Sequence, residues 1–169
     1  MLKRLFKKKV ERVLHNDGKI RILTLRKEAE TYYRNRDFYC SEAVVKVIAD
    51  YFQAPLGDAA VRLASGFPVG IGGSMCTCGA VNGGVMAISM FFGRDQAGGK
   101  EVKKAMELSK ELYDKFTKKH KVACCKVLTH GKKLGSSEHI DHCVEMTGEL
   151  AEITGRILAR ELGYEIIEE

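Results

Sequence analysis

The chain has no tryptophan, two prolines among 169 residues, and no CxxC pair in spite of six cysteines. So little proline leaves long stretches open to helix and speaks against a disordered or linker-rich chain. No apolar run approaches the roughly 18 residues of a membrane span. The early segment also lacks the apolar centre and small-residue cleavage site of a secretion signal, so the expected setting is cytoplasmic, with reduced thiols. Without CxxC there is neither a zinc-ribbon nor a thioredoxin-type motif, and without CxxCH no c-type haem attachment. The glycine run GFPVGIGG is not followed by Lys-Ser/Thr and does not sit between a strand and a helix, which excludes a phosphate loop and a dinucleotide fingerprint. No Ser/His/Asp set and no pair of catalytic carboxylates can be assigned.

The formal charge of +6 is concentrated at one end. Residues 1–12 hold six of the 28 basic groups and one of the 22 acidic ones, and the remainder is close to neutral. A nucleic-acid partner would therefore rest on one terminal segment, and none is expected. In that segment Leu2, Phe6, Val10 and Leu14 recur every four residues opposite lysines, which predicts a basic amphipathic helix over residues 1–18 with its closing turn. Such a helix can lie on an anionic membrane surface, but packing on its own domain or on a second copy is the preferred reading, and a homodimer is the corresponding expectation.

Residues 19–169 read as one helical domain. Helices are predicted over Lys19–Arg36, from Cys40 through Tyr51, over Asp58–Ala64, from Gly79 onward, from Val102 to near His120, and from His139 to about Leu162. No strand pair is evident. The expected architecture is all-α: a single-domain helical bundle with a glycine-rich cysteine loop leading into a buried helix.

That loop and helix, Gly66 to Arg94, hold eight of the seventeen glycines together with Cys76 and Cys78. Glycine at this density suggests a backbone wrapped closely around something. Cys78 falls at the start of the buried helix, where the positive end of the helix dipole lowers the pKa of a thiol. Cys40 and Cys143 also lie near predicted helix starts, on apolar faces, and Cys125 joins them on weaker periodicity. If the helices converge, three or four thiols meet among helix N-termini, an arrangement suited to an anionic thiolate–metal cluster. Any one of these cysteines alone is ordinary core filler. His139 and His142 are one turn apart beside Cys143, so a mixed Cys/His site is conceivable, although such histidines more often flank a helix in solvent.

Cys78-Gly79-Ala80-Val81-Asn82-Gly83 matches CGAxxG, and with the outlying cysteines the chain resembles the C_GCAxxG_C_C family of redox-active proteins from about Phe38 to Leu162. The family pattern places its first cysteine at Cys40, its second at Cys78, its third at Cys125, which Lys126 and Leu128 follow in the expected order, and its fourth at Cys143. A related cysteine-bearing domain occurs in the split-Soret type of cytochrome c with an iron–sulfur centre. The resemblance implies a helical fold and makes Cys40, Cys78, Cys125 and Cys143 candidate ligands of a 2Fe-2S or 4Fe-4S cluster. Cys76 and Cys124 exceed the pattern, and either can replace its matched neighbour or act as its redox partner. The basic N-terminal helix lies outside the resemblance.

The leading expectation is a redox protein that holds an iron–sulfur cluster and passes electrons to a separate protein, rather than an enzyme with its own substrate. The alternatives are a metal-free thiol–disulfide protein in which Cys78 attacks, and a structural zinc module.

Overall fold

The computed structural model describes residues 18–100 and 102–169. The predicted basic amphipathic helix lies outside the described residues, apart from Gly18 at its closing turn. The elements in chain order are β1 (Lys19–Arg21), α1 (Ile22–Arg34), α2 (Cys40–Tyr51), α3 (Gly57–Ala64), α4 (Gly79–Phe92), α5 (Val102–His120), α6 (Cys125–Leu128), α7 (Ser137–Leu162) and β2 (Glu165–Ile167). The fold is predominantly helical, as the apolar periodicity requires.

The longest helix, α7, packs against α1, α2, α4 and α5, and α4 packs against α2, α3, α5 and α7. Leu25, Val44, Ile48, Ile88, Leu112, Phe116, Leu150, Ile157 and Leu158 fill the space between them and are fully or almost fully buried. The ends of α7 follow from local chemistry. The Ser136 hydroxyl accepts the His139 amide, Glu138 lies in the first turn, and Gly163 closes the helix in the left-handed region.

One expectation is corrected. Lys19–Arg21 is not the first turn of α1 but a strand, paired in parallel with Glu165–Ile167 in the register Lys19↔Glu165, Ile20↔Ile166 and Arg21↔Ile167. Ile20 is fully buried, and Lys19 and Arg21 reach Glu165 and Glu169, so the pair fastens the start of the domain to its end. No helix among the described residues is long and apolar enough to cross a membrane.

Candidate functional site

The CGAxxG motif is a packing device. Gly79 and Gly83 are four residues apart and so share one face of α4, which lies against the start of α2. A Cβ on Gly79 would stand 2.5 Å from Cys40 Sγ, and one on Gly83 would stand 2.6 Å from the Ser41 carbonyl oxygen. Only hydrogen at both positions allows the two helix starts to meet, and with them Cys40 and Cys78. Ser41 is held in turn by its own hydroxyl, which donates to the Ala64 carbonyl at 2.9 Å.

Ahead of Cys78 the chain makes a left-handed turn. Val69, Gly70, Ile71, Gly72 and Gly73 all have φ between 54° and 84°, and Met75 follows at 57°. Branched side chains avoid this region, so Val69 and Ile71 each store on the order of 1–2 kcal/mol. The turn is fixed from within by the Met75 amide donating to Val69 and the Cys76 amide donating to Gly70, each at 3.0 Å. It is fixed from outside by an antiparallel bridge between Thr77 and Cys124, in which Cys78 N–H donates to Ala123 and Cys125 N–H to Cys76. A Cβ on Gly70 would lie 2.8 Å from Cys125 Cβ, so this glycine lets the turn close on α6.

Cys40, Cys78, Cys125 and Cys143 line one cavity, together with Tyr33, Val69, Gly79, Thr129, His139, His142 and Thr147. Four separate segments supply the four sulfurs. Cys40 and Cys125 are the first residues of α2 and α6, Cys78 immediately precedes α4, and Cys143 is in the second turn of α7. Thr129 and Thr147 each stand four residues after a site cysteine and donate their hydroxyls to the carbonyls of Cys125 (2.8 Å) and Cys143 (2.7 Å). Cys76 and Cys124 do not line the cavity. Cys76 is exposed, and the half-buried Cys124 directs its sulfur at the Met75 carbonyl, 3.6 Å away.

Burial dominates the electrostatics. It pushes the thiols of Cys40 and Cys125 up to about 12 and that of Cys143 up to about 11, and it raises Cys78 as well; neighbouring cysteines add to the rise at Cys40, Cys125 and Cys143. The opposing forces are local. Amides of Val69 and Ser41 favour the Cys40 thiolate, those of Val81 and Ala80 favour the Cys78 thiolate, and the Tyr33 hydroxyl hydrogen-bonds toward Cys143. The expectation that a helix start lowers the Cys78 pKa is therefore corrected, because removing the sulfur from water outweighs the amides that face it. Tyr33 was legible only as an apolar-face residue of α1, and nothing in the sequence directs its hydroxyl to the site. His139 is buried rather than solvent-flanking, with Nε2 3.8 Å from Cys143 Sγ.

The cavity is mainly apolar, and its free volume of about 20 Å³ admits roughly one water-sized body. As the side chains stand, no three His, Cys, Asp or Glu groups among the described residues are arranged to chelate one ion. Any metal centre therefore needs the lining side chains to re-aim. The donor set still suits an iron–sulfur centre: four thiols, the ligand number such clusters use, in a mainly apolar pocket with amides directed at two of the sulfurs.

Comparison with curated proteins and with solved structures finds no match. A family model does match, over residues 38–157, which includes all four cavity cysteines and the whole of CGAxxG. The chain belongs to the family described as "Putative redox-active protein (C_GCAxxG_C_C)".

Proposed function

We propose that Cys40, Cys78, Cys125 and Cys143 hold an iron–sulfur cluster through which the protein passes electrons to a partner. The observation that carries this reading is the meeting of the four motif cysteines, drawn from four segments, in one apolar cavity. A cluster held there supplies one-electron transfer at a potential set by burial and by hydrogen bonds to sulfur. The chain's own part is to exclude water, to give up four thiol protons, and to direct amides of Val69, Ser41, Ala80 and Val81 at two of the ligating sulfurs.

Both alternatives have less support. A metal-free thiol–disulfide protein needs a nucleophile of lowered pKa, whereas burial raises all four cavity thiols. A zinc module would need the same re-aiming of the lining side chains, to about 2.3 Å from a single ion for each thiolate, and a redox-inert zinc ion has no part in the redox character of the family.

The test is iron, acid-labile sulfide and visible absorption on protein purified and reconstituted without oxygen. Iron and sulfide in matching amounts are expected in the wild type and in the C76S and C124S variants, with loss in C40S, C78S, C125S and C143S. Colourless, iron-free wild type after reconstitution overturns the proposal, as does a centre that survives C78S.

A further inference from the structure

His142 is a polar residue of the cavity with no part in holding the four thiols. It lies on α7 immediately before Cys143 and lines the same space as the four thiols. Its Nε2 is buried and has no hydrogen-bond partner. Buried polar nitrogens are nearly always paired, because desolvation without a partner is costly.

The other buried unpartnered side-chain atom among the described residues is Asp50 Oδ2, whose carboxylate is already engaged through Oδ1 by Lys46 Nζ at 2.6 Å. His139, one turn before His142, has both ring nitrogens in contact: Nδ1 with the Gly135 amide at 3.5 Å and Nε2 with Cys143 Sγ at 3.8 Å. Among the described residues, His142 alone combines a place in the lining of this mainly apolar pocket of four thiols with a buried imidazole nitrogen that has no partner.

Building on the cluster reading, we infer that His142 donates its Nε2–H to a sulfur of the bound iron–sulfur centre. The choice between donor and ligand follows from the donor count. Four cysteines already meet the needs of a 2Fe-2S or 4Fe-4S centre, so a fifth ligand is not required. A centre held by four thiolates is rich in negative charge and in sulfur acceptors, and the backbone amides reach only Cys40 and Cys78, so a further N–H in this apolar cavity has acceptors to meet. Such a bond is stronger in the more negatively charged reduced state. His142 thus raises the reduction potential and is a positioning and tuning residue rather than a ligand.

The experiment uses the full chain, reconstituted without oxygen, as wild type, H142L, H142Q and H139L. Three quantities are read: iron and sulfide per chain, midpoint potential by mediated titration, and nitrogen hyperfine coupling in the reduced state of protein labelled with ¹⁵N-histidine. The expected result is full iron and sulfide throughout and a weak histidine coupling in the wild type that survives H139L and disappears in H142L. The potential moves to more negative values in H142L, and the shift is partly reversed in H142Q, whose amide restores an N–H. Three results overturn the inference: no histidine coupling in loaded wild type, a coupling as strong as that of a direct ligand, or a potential unmoved in both His142 variants. If H142L fails to fold, the coupling in H139L decides, since its survival there excludes His139 as the source and its loss overturns the inference. Wild type without iron fails the cluster reading itself, and the inference with it, and the iron assay tells that failure apart from the other three.

Discussion

Replacing Gly83 with alanine tests whether the motif glycine is there for helix contact. Glycine inside a helix costs about 1 kcal/mol relative to alanine, so G83A gains that much if nothing opposes it. In this structure the new methyl carbon would stand 2.6 Å from the Ser41 oxygen and 2.9 Å from Ser41 Cα, whereas ordinary contact begins at 3.4 Å. The two backbones must part by about 0.8 Å to relieve the closer of these. They cannot part freely, because Ser41 is buried and its hydroxyl is bonded to Ala64. Overpacking of this kind costs about 1–3 kcal/mol, which leaves a net loss of about 1 kcal/mol and a fall of roughly 2–4 °C in melting temperature. The assay is urea unfolding of the apoprotein under reducing conditions, with S89A as control, since Ser89 is exposed on the same helix and its substitution changes propensity and one local hydroxyl bond to the Val85 carbonyl but no interhelix contact. A G83A protein more stable than wild type by about 1 kcal/mol would refute the reasoning, because it would mean that α2 and α4 do not need the close approach.

Three further outcomes are expected. The folded apoprotein keeps protons on Cys40 and Cys125 up to about 12 and on Cys143 up to about 11, against an ordinary 9.0, so the unfolded chain binds fewer protons between those limits. Stability therefore falls as pH rises from about 9 to about 12, and urea midpoints across that range should fall less steeply in C40A. In native apoprotein a maleimide should modify exposed Cys76 first and Cys124 next, with Cys78 and Cys125, 8% and 7% exposed, protected until the chain unfolds; peptide mass mapping that finds Cys78 among the first modified refutes this. Removing the ammonium in K46A leaves the carboxylate of Asp50 without the partner now at 2.6 Å; breaking a fully buried pair costs about 3–5 kcal/mol, and the partial exposure of Asp50 reduces this to about 2 kcal/mol in urea unfolding.

Periodicity carried most of the helices. Ile22, Leu25, Ala29 and Tyr33 mark the buried face of α1, and the α5 limits of Val102 and His120 were readable from apolar spacing and a lysine-rich end. The strand pair was not legible, since three residues are too few to show alternation and the partner strand lies at the other end of the domain. The glycines of the Cys78 segment did announce close approach, but nothing in Val69 or Ile71 announces a positive φ, which is imposed by the surrounding hydrogen bonds. The direction of the Cys78 pKa is not legible for a similar reason. A helix start can be read from sequence, whereas the burial that outweighs it is set by how four segments pack.

The strained turn and the raised thiols belong to one arrangement. None of the five successive residues in the left-handed region, Val69 to Gly73, is a member of the hydrophobic core, which reaches the site through Cys78, Ala80 and Met146. Their effect is local. The turn brings the Val69 amide to Cys40, seats Gly70 against Cys125, and through its bridge to Ala123–Cys125 holds Cys78 beside both. Three of the four thiols are thereby tied to one piece of backbone, and α7 delivers the fourth. Burial in such a pocket stabilises neutral thiols, while the hydrogen bonds of the turn hold Val69 and Ile71 in their strained conformations. Filled by a group that takes up the four protons' places, the same amides meet charge instead of thiol hydrogens and become stabilising. Under the cluster reading proposed above, loading rather than thiol reactivity is therefore the property that tests this arrangement.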